Sequence, residues 1–237
     1  MKNYLSFRKV VSAFHTQSFL ALSTACILLG SCSEKSLFVS NFSANTQNQP
    51  PAHVQKVSTL DVITPGTVII APSPVSVSGN WAKTIRTGTN SPNAGFNCNN
   101  LKMIGEGQFR FSAALFISGN SGLVTIDFLP DLPSGLSFLH IDFMQNNGLR
   151  LQDSQIIPGM RFPKDSIFIA QVTLKITSTE GTAHIALGGV GTAGTFDYNL
   201  NETELRLAKR FSKTELFIGY PWTGSFFATN IVTSQVK

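Results

Sequence analysis

Ser166 to Gly189 reads SIFIAQVTLKITSTEGTAHIALGG. In its first half Phe168, Ala170, Val172, Leu174 and Ile176 fall on one side. Ile167, Ile169, Gln171, Thr173 and Lys175 fall on the other. A period of two sustained over this length dictates a β-strand with one face on a core. Ser178-Thr179-Glu180-Gly181 permits a reversal, because Gly181 accepts positive φ without a Cβ clash. Thr182 to Leu187 then returns as a second alternating run. A hairpin with one oily face does not stand alone in water, so it belongs to a larger sheet packed on a second layer.

The same pattern recurs on both sides of this hairpin. In QFRFSAALFIS, residues Phe109, Phe111, Ala113, Leu115 and Ile117 share a face. Val124, Ile126 and Phe128 point inward from Leu123–Leu129, and Leu139, Ile141 and Phe143 from Ser137–Met144. Asn146-Asn147-Gly148 is a tight-hairpin signal leading into Leu149–Leu151. Gly159–Lys164 reads as a crossing loop. A glycine-rich loop, GGVGTAG, follows Gly188 and precedes a strand at Thr195–Leu200. Asn201–Arg210 is the one helical stretch, with Asn201 as N-cap and Glu202 and Glu204 in the first turn. Strands at Lys213–Tyr220 and Ser225–Thr233 close the chain. Before Gln108, Thr67–Ala71 and Val75–Ser78 read as edge strands broken by Pro72 and Pro74. Trp81–Leu101, rich in Gly and Asn, reads as loop. The fold class is all-β, a two-sheet antiparallel sandwich with at most one short helix.

Composition agrees. The 237 residues hold 19 Phe against 3 Tyr and 2 Trp, which fits a phenylalanine-filled interior. Charged residues make up 13%, about half the usual quarter. The formal charge of +5 comes largely from Lys2, Arg8 and Lys9 near the N-terminus. Removing those three from the 18 basic residues leaves 15 against 13 acidic. A nucleic-acid partner requires a basic stripe, and none is present.

Lys2, Arg8 and Lys9 precede an apolar run from Phe19 to Leu29, too short to span a bilayer as a helix but suited to a signal peptide. The run ends Leu29-Gly30-Ser31-Cys32, which resembles the lipobox of bacterial lipoproteins. That resemblance implies cleavage before Cys32, lipid on its thiol, and a membrane partner through that lipid. Acyl chains contribute about 0.8 kcal/mol per buried CH₂, so two or three anchor a chain stably. By the family's sorting rule Ser33, in place of Asp, points to the outer membrane in a Gram-negative cell. The expected organisation is a signal peptide at 1–31, a flexible polar tether at 32–65 and the sandwich at 66–237. Phe38 and Phe42 offer an alternative, docking of the tether on the sandwich. With Cys26 in the leader and Cys32 lipidated, Cys98 is left alone, which rules out an internal disulfide or a cysteine metal cluster.

From Gln108 to Val236 the order of elements resembles the concanavalin A-like, laminin-G-type jelly roll. The likeness rests on HIDFMQNNGLRL, on FIAQVTLKITSTEGTAHIALGGVGTAGTFDY and on the closing FFATNIVTSQ. Taken with the lipobox and the tether, it implies a non-catalytic envelope protein whose sandwich binds a glycan or another envelope molecule. A glycan-cleaving enzyme and a structural subunit of an envelope complex are the alternatives, because fold alone does not choose. The Glu-x-Asp-x-x-Glu pattern of concanavalin-like glycosidases is absent, and no residue is assigned as catalytic. Asp127 and Asp142 are the strand carboxylates that point away from the core, and His140 shares a strand face with Asp142. With His184 they form a candidate binding or acid–base cluster, or a weak metal site. The plainer reading is hydrogen-bonded surface polar groups. Tyr220 and Trp222 flank Pro221 in a turn, where exposed rings stack on sugars or plug a corner. Trp81 carries the same two readings. No cofactor is expected, and calcium, though compatible with the chain, has no supporting motif.

Overall fold

Alternating apolar and polar residues place the chain in strands nearly throughout. The computed structural model describes residues 34–52, 59–133 and 135–236. In chain order these form β1 (Lys35–Ser40), β2 (Thr59–Val62), β3 (Val68–Pro72), β4 (Asn80–Arg86), β5 (Ala94–Ile104), β6 (Gly107–Ile117), β7 (Leu123–Pro130) and β8 (Leu139–Met144). There follow β9 (Gly148–Leu151), β10 (Gln155–Arg161), β11 (Ile167–Ile176), β12 (Gly181–Gly188), β13 (Thr195–Asn199), helix α1 (Glu202–Ala208), β14 (Phe211–Ile218) and β15 (Gly224–Val236). One sheet runs β13-β12-β11-β6-β15-β4-β3, with β1 also on β15. The other runs β10-β9-β8-β7-β14-β5-β2. Pairings are antiparallel in both. This is the expected β-sandwich with one short helix.

The core lies between the sheets. Among the described residues the twelve largest fully buried side chains are all phenylalanines, from Phe38 to Phe226. Phe111 on β6 meets Phe128 on β7 edge-on, with centroids 5.4 Å apart, across the inter-sheet space. Phe143, Phe162 and Phe168 form a second aromatic group with centroids 5.2–5.6 Å apart. The inward residues expected on β6, β7, β8 and β11 are all buried.

Several local expectations are corrected. Residues 35–40 are strand β1 rather than tether, paired with β15 from Lys35↔Gln235 to Ser40↔Ile231. Phe38 and Phe42 are buried in the core, so the compact unit spans Lys35–Val236 rather than beginning at 66. Trp81–Leu101 contains strands β4 and β5. On β5, Ala94, Phe96 and Cys98 point inward while Gly95, Asn97 and Asn99 occupy the other side, so an Asn/Gly face imitates a loop. Val75–Ser78 forms no strand, and residues expected as a crossing loop contribute to β10. Trp81 is buried. Gly181 is needed for space rather than for positive φ, because a Cβ there would lie 2.8 Å from Leu200 Cδ1. Helix α1 has the expected Asn201 cap, closed as a capping box with Glu204. Cys98 is free and buried, and burial pushes its thiol well up, which leaves it unreactive. The leader and Cys32 lie outside the described residues. Among the described residues no helix is long and apolar enough to cross a membrane.

Because β1 supplies core rather than tether, Phe38→Ala is expected to destabilise the sandwich by about 3–5 kcal/mol. A chain beginning at Thr59 should fail to fold. Urea unfolding followed by tryptophan fluorescence checks both.

Candidate functional site

The register that turns Phe128, Ile141 and Phe143 inward turns Asp127, His140 and Asp142 outward on the seven-stranded sheet. Neighbouring strands then line up rows of side chains on that outer face. One row reads Asp61, Asn97, Glu215, Asp127, His140, since each is the register partner of the next. The adjacent row reads Phe217, Thr125, Asp142, Arg150. Directly opposed residues have Cβ atoms about 4.5–5.5 Å apart, so each row is continuous.

At its centre is an ionic network. His140 Nδ1 lies 2.6 Å from Asp127 Oδ1. His140 Nε2 faces Asp142 Oδ1 at 3.1 Å and Asp153 Oδ1 at 3.3 Å. Asp142 is fully buried although its strand face is the outer one. Thr125 Oγ1 donates to its Oδ1 at 2.7 Å, while Arg150 donates to its Oδ2 through Nε and Nη2 at 2.9 and 2.6 Å. Burial pushes the Asp142 carboxyl up, but His140, Thr125 and Arg150 outweigh that and hold it below its usual value. Burial pushes His140 down, yet the hydrogen bonds and charges of Asp127 and Asp142 prevail and raise it to about 10. Glu215, opposite Asp127, is raised by burial and by the Asp127 charge, with Lys213 acting against the shift.

Asp153 reaches this network from the loop between β9 and β10, where Gln152 and Asp153 both take left-handed φ, 50° and 58°. Gln152 locks that loop. Its backbone N–H donates to His140 O at 3.0 Å, and its side chain donates to Phe138 O and to Glu204 Oε1 at 3.0 and 2.7 Å.

Three of the expected site residues, Asp127, His140 and Asp142, are therefore brought together. His184 is not among them. It sits on β12 in the other sheet, exposed, with Nδ1 2.6 Å from Asp197 Oδ1. Asp142 is shielded by its partners, and it orders both Arg150 and His140. Tyr220 and Trp222 lie in the turn after β14 and are exposed. Trp222 packs on Gly122, where a Cβ would come within 3.2 Å of Trp222 Cβ. Arg86 donates to its carbonyl oxygen. Arg150, Asp153, Glu215 and Phe217 were not singled out from sequence. Arg150 is visible only once the Asn-Gly hairpin is folded into register. Phe217 lies outside the inter-sheet core, on the outer face, with its ring against Gly219.

No protein-family model matches the chain, and no curated protein does. Solved structures do. The catalytic domain of the glycoside hydrolase family 131 protein from Coprinopsis cinerea has a TM-score of 0.53 at 10% identity, covering 84% of this chain and 94% of that one. A β-glucanase catalytic domain of the same family from Podospora anserina has a TM-score of 0.52 at 12% identity, covering 86% and 97%. Lectin I from Ulex europaeus, in complex with the methyl glycoside of α-L-fucose, has a TM-score of 0.49 at 12% identity, covering 86% and 98%. The likeness is one of fold, a two-sheet antiparallel β-sandwich.

A histidine raised from 6.5 in the unfolded chain to about 10 in the folded one stabilises fully below about pH 6.5. That stabilisation declines through the interval and is gone above about pH 10. The urea midpoint of the wild type in chelator should fall over this window, and His140→Gln should remove the His140 component of the slope.

Proposed function

We propose that this chain is a lipid-anchored envelope protein whose sandwich binds glycan across the outer face of the seven-stranded sheet. The observation that carries the reading is the continuous row Asp61-Asn97-Glu215-Asp127-His140 lying beside the aromatic Phe217. Sugars are held by carboxylates and amides that bond their hydroxyls and by a ring against their apolar face. The β-glucanase neighbour, whose fold this chain shares, supports a saccharide ligand. Tyr220 and Trp222 form a rim at the end of β14. Anchoring rests on the lipobox-like Leu29-Gly30-Ser31-Cys32.

A second reading has one observation in its favour. Glu215 and Asp127 are opposed carboxyls on adjacent strands, and Glu215 is pushed toward its protonated form. Glycosidic hydrolysis uses one carboxyl as acid and the other as base or nucleophile. Absence of turnover by the wild type across the glycans that it binds would sink this reading and leave the binding one.

On a glycan array the full chain should bind one glycan class saturably. Phe217→Ala should weaken that binding at least tenfold and Trp222→Ala by less. A folded wild type that binds no glycan removes the proposal. Separately, Cys32→Ser should move the chain from the detergent phase to the aqueous phase in Triton X-114 partition.

A further inference from the structure

His140 stands among three carboxylates in an ordered way. Asp127 occupies Nδ1 at 2.6 Å, which leaves Nε2 as the nitrogen directed at Asp142 Oδ1 and Asp153 Oδ1. These three atoms lie within 4.8 Å of one another. Ligand atoms about 2.1 Å from a shared metal ion stand roughly 3.0–3.4 Å apart in tetrahedral or octahedral arrangement. The two separations from Nε2, 3.1 and 3.3 Å, fall in that range. A carboxylate on the far imidazole nitrogen is the usual support for a metal-bound histidine, because it sets the tautomer and the ring orientation.

Charge points the same way. With the imidazole counted neutral, Asp127, Asp142 and Asp153 against Arg150 leave the cluster two negative charges in excess. A divalent ion bound to neutral imidazole brings the sum to zero. Arg150 takes Oδ2 of Asp142, so Oδ1 remains for the ion as a single oxygen, with Thr125 donating to it. Asp153, 79% exposed, is held over His140 by the left-handed loop and the anchored Gln152.

We propose that His140 Nε2, Asp142 Oδ1 and Asp153 Oδ1 hold a divalent transition-metal ion of the zinc or manganese type. One imidazole and two carboxylates suit such ions, whereas calcium and magnesium take oxygen donors. Three protein ligands leave positions open to water or to a ligand hydroxyl. The site stands independently of the glycan reading.

The test is calorimetric titration of the chelator-treated full chain with Zn²⁺ or Mn²⁺ alone. One equivalent should bind saturably. Asp153→Asn, at an exposed position that leaves the fold intact by circular dichroism, should weaken it at least tenfold. Asp127→Asn should weaken it about 10–100-fold as a positioning residue. His184→Ala should leave it unchanged, and Ca²⁺ at the same concentration should not compete. No saturable binding, binding indifferent to Asp153→Asn, or binding lost in His184→Ala overturns the proposal. Equal competition by Ca²⁺ overturns the nitrogen ligand.

Discussion

The contact between Phe111 and Phe128 joins the two sheets, and much else depends on it. Neither sheet is stable with its apolar face in water, so each needs the other. The contact also sets phase. With Phe128 pointing in, Asp127 must point out, and the pairing of β7 with β8 then brings His140 beside it. A one-residue slip of β7 would bury Asp127 and expose Phe128. The polar face is therefore specified by the core beneath it.

That polar face is costly to assemble. A fully buried carboxylate needs several donors to replace the water it loses. Asp142 has Thr125, Arg150 in a two-nitrogen contact, and His140. Each donor comes from a different strand position, so Asp142 ties β7, β8 and β9 together on the outside while phenylalanines tie them to the other sheet on the inside. Groups held this firmly keep a fixed geometry, which is what a binding face requires.

The helix extends the same order to the loop beside the network. Glu204 closes the capping box of α1 and also accepts from Tyr198 Oη and Gln152 Nε2. One carboxylate thus ends a helix, fastens β13 and fixes the loop that presents Asp153. A local capping signal serves a distant purpose that no local pattern contains.

Alternation was legible where apolar and polar residues differ in character, as on β6, β7, β8 and β11, and so was the Asn201 cap. It was illegible on β5, whose outer face is Gly and Asn, and on β1, whose short KSLFVS resembles the polar chain around it. Of the candidate site, the pair His140 and Asp142 could be read from its spacing along one strand. Asp127 could be placed on the same face but not opposite His140, and His184, grouped with them from the sequence, lies on the other sheet. The sequence alone determined the period of two, and hence the sandwich and the set of side chains facing outward. Only the tertiary structure decided which outward groups meet. A cross-strand row joins residues far apart in the chain, and its register is set by the packing of the whole core rather than by any local stretch.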